Sequence, residues 1–145
     1  MKNFYVFRSS EREWEAPTHE EFKGHGAKKV VFYTGYIPEK LVKENLSGEF
    51  RYMNEARLQP RKSFRRHRHT GMTEMFKVIK GELYVEFDGD ENVTLNEGDM
   101  IIMPKGVWHK QMNKTNEVIY YLSFGVDSGG QTETDESDTV IDLDA

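Results

Sequence analysis

Between residues 50 and 127 the chain alternates apolar and polar residues in short runs. Leu83, Val85 and Phe87 fall on one parity, and Glu82, Tyr84 and Glu86 on the other. That is the period-two pattern of a half-buried strand. The same reading predicts strands near 50–58, 64–69, 73–79, 82–87, 92–95, 99–103, 108–113 and 118–126. Turn-forming groups separate them: Gln59-Pro60, Thr70-Gly71, Lys80-Gly81, Asp88-Gly89-Asp90, Asn96-Glu97-Gly98 and Pro104-Lys105-Gly106. Many short strands at this spacing predict an all-β antiparallel sandwich or barrel. Upstream, residues 29–36 (KVVFYTGY) read as one further strand, ended by Pro38, and 38–46 (PEKLVKENL) as a short helix with proline in its first turn. The last eighteen residues, SGGQTETDESDTVIDLDA, are polar and acidic and predict a disordered tail. Val140, Ile141 and Leu143 are its only apolar residues, and docking of these on the body is the alternative. The expected organisation is an N-terminal extension over 1–48, a barrel over 49–127 and the tail over 128–145.

Composition changes this picture little. At 145 residues the chain has the length of one domain and buries a core without staples. It contains no cysteine, which removes disulfides, thiolate ligands and a cysteine nucleophile together. The N-terminus carries early charges and no apolar run of signal-peptide length, and no stretch of about 18 apolar residues occurs. Cytoplasmic location is therefore the expectation, with no membrane partner. Charge is uneven. Seven acids and no base lie from Asp127 onward, which leaves a near-neutral body of twenty bases against eighteen acids. The basic cluster Arg61, Lys62, Arg65, Arg66 and Arg68 alternates across one strand. It reads as solvated charge, partly neutralised by the tail, rather than a nucleic-acid surface.

The chemistry-bearing residues are three of the five histidines and one glutamate. His67 and His69 are two apart, so a strand points both to one face. Glu74 follows the Thr70-Gly71 turn, where a hairpin brings its carboxylate beside the two imidazoles. His109 opens a strand after Pro104-Lys105-Gly106 and offers a third nitrogen. Three nitrogens and one carboxylate oxygen suit a borderline divalent metal. Each residue alone is weak evidence; the joint spacing is what points to a site. His19 and His25 have no partner spacing and read as surface residues.

This spacing resembles the cupin superfamily. Its first motif, G-x5-H-x-H-x3-4-E-x6-G, is matched by His67, His69, Glu74 and Gly81. Its second, G-x5-P-x-G-x2-H-x3-N, is matched by Gly98, Pro104, Gly106, His109 and Asn113. One departure is the leading glycine of the first motif, replaced here by Arg61, so the loop before the histidine strand is expected to be reshaped. The resemblance implies a double-stranded β-helix (jelly-roll) of the small single-domain kind. It implies one divalent metal ion (Fe, Mn, Ni, Zn or Cu) on His67, His69, Glu74 and His109, with one or two open coordination positions. A closed structural zinc site is the alternative. It also implies action on a small organic molecule, with a metal-dependent dioxygenase favoured, an isomerase, epimerase or lyase second, and a non-catalytic ligand-binding module third. Glu74 is then the candidate catalytic residue, with Tyr121 or Glu74 as base in the isomerase reading. Arg65, Phe76, Gln111 and Tyr121 are the candidate substrate-binding residues. Arg65 shares the parity of the histidines and favours a carboxylate-bearing ligand. Trp108 and Met103 are expected in the core or an interface. Met75, Ile79, Tyr120, Leu122 and Phe124, read as outward and apolar, suggest a homodimer.

Overall fold

The computed structural model describes residues 4–32, 37–46, 48–128 and 139–143. Its strands are β1 (Tyr5–Phe7), β2 (Phe50–Leu58), β3 (His67–His69), β4 (Met72–Lys80), β5 (Leu83–Phe87), β6 (Asn92–Leu95), β7 (Met100–Met103), β8 (His109–Met112), β9 (Ile119–Asp127) and β10 (Thr139–Ile141). One helix, α1 (Glu39–Asn45), precedes β2. The strands form two five-stranded antiparallel sheets, in the orders β1-β7-β4-β9-β2 and β10-β3-β8-β5-β6. This is the all-β antiparallel architecture expected from the strand spacing, in the double-stranded β-helix form that the cupin resemblance implies.

The core lies between the sheets. Phe76, Val78, Leu83, Val85, Phe87, Leu95, Ile101, Met103, Ile119 and Tyr121 meet there. A second apolar cluster covers the other face of the first sheet, where Phe7, Ile37, Leu41 of α1, Met75, Met100 and Ile102 pack together. Two covered faces explain why β7 reads Met-Ile-Ile-Met with every residue buried. Alternation marks a strand with one wet face, and a strand covered on both sides loses it. The cover also corrects one expectation. Met75 is not an outward surface residue, because the N-terminal segment and α1 bury it. Ile79 and Tyr120 are exposed, while Leu122 and Phe124 are half-buried.

The N-terminal extension departs further from expectation. Over 29–32 no strand forms; Lys28 makes an isolated bridge with Glu15, and Val31 and Phe32 pack against the outer cluster instead. The remainder of that expected strand, 33–36, lies outside the described residues. The strand that does form, β1, is fixed by Asp99, which is 2% exposed. Arg8 donates to its Oδ2 at 2.6 Å, and the backbone N–H of Ser9 donates to its Oδ1 at 3.1 Å. A buried carboxylate needs such donors, and Arg8 supplies charge as well.

At the C-terminal end, residues 139–141 are ordered as β10 on the edge of β3, with Thr139 opposite His69 and Ile141 opposite His67. The expected disorder therefore does not hold for this segment; 129–138 lie outside the described residues. Apolar Val140 and Ile141, with Asp142 paired to Arg66 at 2.9 Å, give the segment enough contacts to dock.

Arg61 carries the expected departure in an informative way. Its φ is +61°, the left-handed region that glycine occupies without steric cost. The turn keeps a glycine's backbone although the glycine is gone. Arg61→Gly is expected to raise stability by up to about 1 kcal/mol, the residual after glycine's greater unfolded-state freedom is subtracted. A higher urea midpoint with unchanged slope checks it; a lower midpoint would contradict the strain.

Candidate metal centre

Antiparallel register assembles the site. His67 on β3 lies directly opposite His109 on β8, and the two-residue period puts His69 on the same face. Glu74 comes from the other sheet, on β4, after the short turn that links it to β3. The ligand-type atoms of His67, His69, Glu74 and His109 all lie within 4.8 Å of one another, a group able to hold a metal ion. His69, Glu74 and His109 are buried and His67 is half-buried.

Hydrogen bonds fix each ring. His67 Nδ1 donates to the Arg65 carbonyl at 2.7 Å, and His109 Nδ1 to the Val107 carbonyl at 3.0 Å. His69 Nδ1 meets Thr139 Oγ1 at 3.3 Å. On the other side, His109 Nε2 lies 3.0 Å from Glu74 Oε1, and His69 Nε2 lies 3.2 Å from Glu74 Oε2. The Tyr52 hydroxyl also donates to Glu74 Oε2 and lies 3.0 Å from Ser123 Oγ.

This pattern tests whether a metal fits. A carbonyl only accepts, so His109 already spends its one neutral-state proton on Val107. Its Nε2 nonetheless faces a carboxylate, another acceptor. A second proton on the ring resolves the conflict, and so does a cation among the Nε2 atoms and Glu74. Outward Nδ1–H bonds to carbonyls are the usual support of metal-binding imidazoles. The donor set of three nitrogens and one carboxylate oxygen fits a divalent transition metal.

Electrostatics agree with the geometry. Burial by itself raises the Glu74 carboxyl, but the hydrogen bonds from His109 and His69 overcome it and hold the group well below the usual carboxylate range. Burial, helped by the neighbouring His109, lowers His67 to about 4, so its ring is neutral near pH 7. Tyr121 is pushed up to about 12, chiefly by burial, with Gln111 opposing and the Glu74 charge adding. In the metal-free chain burial thus favours the protonated phenol of Tyr121.

A pocket of about 390 Å³ opens beside the cluster. Arg65, Gln111 and Tyr121 line it, as do His67, His69 and Glu74. Phe76 does not. It is fully buried beneath the site, edge-on to Tyr121 at 5.2 Å and to His109 at 6.1 Å. Its parity was read correctly, but the inward face at that depth is already core. Arg65 lies at the exposed rim, because β3 spans only three residues and Arg65 precedes it. Its Nη1 donates to the Leu143 carbonyl at 3.3 Å. Gln111 is buried, and its Oε1 has no hydrogen-bond partner among the described residues. His19 and His25 are exposed, far in sequence from the cluster. Trp108 is neither core nor site; Arg66 and Arg68 stack over its ring at 4.4 and 5.2 Å.

Sequence reading missed Tyr52, Asn54, Ser123, Thr139 and Ile141, which also line the pocket. The first three carried a signal. Tyr52, Asn54 and Ala56 share parity with buried Leu58, and Ser123 shares parity with Tyr121.

Comparisons with known proteins bear on the same residues. The family model for the Cupin domain matches residues 54–125. Germin-like protein subfamily 3 member 3 of Arabidopsis thaliana is 33% identical over 69 residues, covering 44% of this chain and 33% of that protein. The chain spans between 24% and 39% of the length of the curated relatives it matches. An uncharacterized conserved protein with a double-stranded β-helix domain, from Klebsiella pneumoniae, superposes with a TM-score of 0.52 at 19% identity, over 61% of this chain and 71% of that one. A recombinant oxalate oxidase in complex with glycolate gives 0.50 at 23% identity, over 61% and 44%. These two structures bear on the fold alone. Fold and paired motifs together define a double-stranded β-helix protein with a candidate metal site. The chain belongs to the cupin superfamily.

In the metal-free chain, stability is expected to fall as pH drops from about 6.5 toward 4. The unfolded chain takes up a proton on His67 near its ordinary value, whereas the folded chain resists until about 4. Above about 6.5 this contribution is flat. Denaturant midpoints at pH 7.5, 6 and 5 check it, and His67→Gln should reduce the slope.

Proposed function

We propose that the chain holds one divalent transition-metal ion on His67, His69, Glu74 and His109, and acts on a small organic molecule as a dioxygenase-type oxidoreductase. The observation that carries this reading is a four-donor cluster facing an open pocket rather than being sealed in protein. A closed structural site has no use for such a pocket. When bound, such an ion supplies Lewis acidity and, for a redox-active metal such as iron(II), the electron-transfer chemistry that dioxygen use requires.

The chain's own residues divide the remaining work. Three imidazoles present neutral Nε2 atoms, and Glu74 supplies one negative charge. Ala56, Phe64, Met72 and Ile141 give the pocket apolar walls that limit water. Tyr121 keeps its proton and donates a hydrogen bond to a ligand oxygen. Arg65 at the rim attracts a carboxylate-bearing ligand. Glu74 can accept a substrate proton if one oxygen is displaced, with Tyr52 still holding the other. Pairing of two copies through the outer faces belongs to the same proposal. Phe50, Met53 and Ile79 are exposed there, and Phe50 stacks on Phe124 at 6.2 Å.

Among the described residues no helix is long and apolar enough to cross a membrane.

Reconstitution with iron(II), followed by oxygen-uptake measurements with diketones, phenols and short keto acids, tests the reading. Metal-dependent uptake is expected. Turnover in anaerobic buffer would instead support the isomerase or lyase, and tight binding without turnover a ligand-binding module. His67→Ala and His109→Ala should each lower metal affinity by more than about 100-fold, since losing a donor atom to the metal costs more than losing a hydrogen-bond partner of a donor. Unchanged metal content in both variants would remove the site assignment.

A further inference from the structure

We propose that Thr139 is a positioning residue for His69, brought to the metal centre by the C-terminal strand; this rests on the metal-centre reading above. The three histidines are not supported alike. His67 and His109 donate through Nδ1 to backbone carbonyls two residues upstream, so their orientation is set within their own segments. His69 Nδ1 meets a side-chain hydroxyl 70 residues away. The ligand best buried on β3 therefore takes its outer support from a segment beyond the two motifs.

Several independent contacts hold that segment in place. Thr139, Val140 and Ile141 pair in register with His69, Arg68 and His67. The Asp142 backbone N–H donates to the Arg66 carbonyl at 2.9 Å, and its carboxylate pairs with Arg66 Nη1 at 2.9 Å. Arg65 Nη1 donates to the Leu143 carbonyl. Thr139 and Ile141 also line the pocket, so one strand both orients a ligand and forms a wall.

The hydroxyl has a property that the two carbonyls lack: it donates as well as accepts. With a cation on Nε2, His69 carries its proton on Nδ1 and donates to Thr139 Oγ1. Without one, Nε2–H can donate to Glu74 Oε2, and Nδ1 accepts from Thr139. Thr139 thus holds the ring in one orientation through either tautomer. A carbonyl in its place would fix a single tautomer.

Cobalt(II) titration of the full chain, followed by visible absorption, tests this without any substrate. Thr139→Val keeps the shape and removes the hydroxyl. It should bind cobalt about 10-fold more weakly or worse, in the range for lost outer-shell partners. Thr139→Ala should match it, and Thr139→Ser should stay within about twofold of the parent. Thr139→Val should also hold the His69 ring in one orientation less firmly in the metal-free chain, visible as broadened ring-proton signals. Equal cobalt affinity in the parent and Thr139→Val or Thr139→Ala overturns the role of Thr139 and leaves the four-ligand centre standing. A serine variant as weak as valine overturns the hydroxyl's part. A parent chain that takes up no cobalt overturns both readings.

Discussion

The carboxylate of Glu74 is a buried anion, and the open end of the barrel is arranged around satisfying it. A carboxylate taken out of water costs several kcal/mol unless donors or cations replace the lost hydration. Here the replacements come from both sheets. His69 and His109 approach from β3 and β8, and Tyr52 from β2. One side chain thus links the two layers where the interior is least filled by apolar groups. Removing a single partner would leave the charge undercompensated, whereas a cation satisfies all of them at once. The geometry at His109, with an acceptor on each nitrogen, is the same requirement seen from the imidazole side.

Packing beneath the cluster keeps these partners within reach. Phe76 is fully buried against both His109 and Tyr121, so the rings cannot drop into the core. Gly125 lies opposite both Tyr52 and Glu74 in the sheet. A Cβ there would sit 2.6 Å from Tyr52 Cε1 and 2.7 Å from Met72 Sδ. The absence of a side chain at 125 is what lets Tyr52 lie across the sheet and reach the carboxylate. On the far face, the cluster around Met75, Met100 and Ile102 holds β4 and β7 together. The sheet carrying Glu74 is therefore supported from both sides.

The four residues of the candidate metal centre were legible in the sequence because their spacing is local. A pleat puts His67 and His69 on one face, a tight turn returns the chain at Glu74, and a proline-glycine corner starts β8 at His109. The barrel strands from β2 to β9 were legible for the same reason, since turn residues bound each one. The rest depends on contacts between distant segments. β1 and β10 are three residues long and lack turn signals, so only their partners reveal them. Asp99 defines β1, and the Arg65–Arg66 region defines β10. The apolar run at 29–32 looks like a strand because it is apolar and β-branched, yet it serves as cover for a sheet face. Arg61 shows the limit of a motif departure: the residue that stands in place of glycine adopts a positive φ, which glycine favours.

Charge then narrows what the pocket suits. Three neutral imidazoles and one carboxylate around a divalent ion leave a net positive charge at the inner end. Arg65 places a second positive group at the rim. Between them the wall is largely apolar, broken by a phenol whose protonated form burial favours and by Gln111 Oε1, which has no hydrogen-bond partner among the described residues. On the proposed reading, a small anion with a hydroxyl or amide donor would meet each of these demands: its charge would face the cationic ends, its oxygen would accept from Tyr121, and its donor would satisfy Gln111 Oε1. A neutral apolar molecule would leave Gln111 Oε1 without a hydrogen-bond partner in a buried site, a cost of roughly 1–3 kcal/mol. The same fold with Gln111 replaced by an apolar residue would lose that discrimination while keeping the metal ligands intact. On the proposed reading, selection of the ligand resides in the wall facing the cluster, and not in the motifs by which the cluster is recognised.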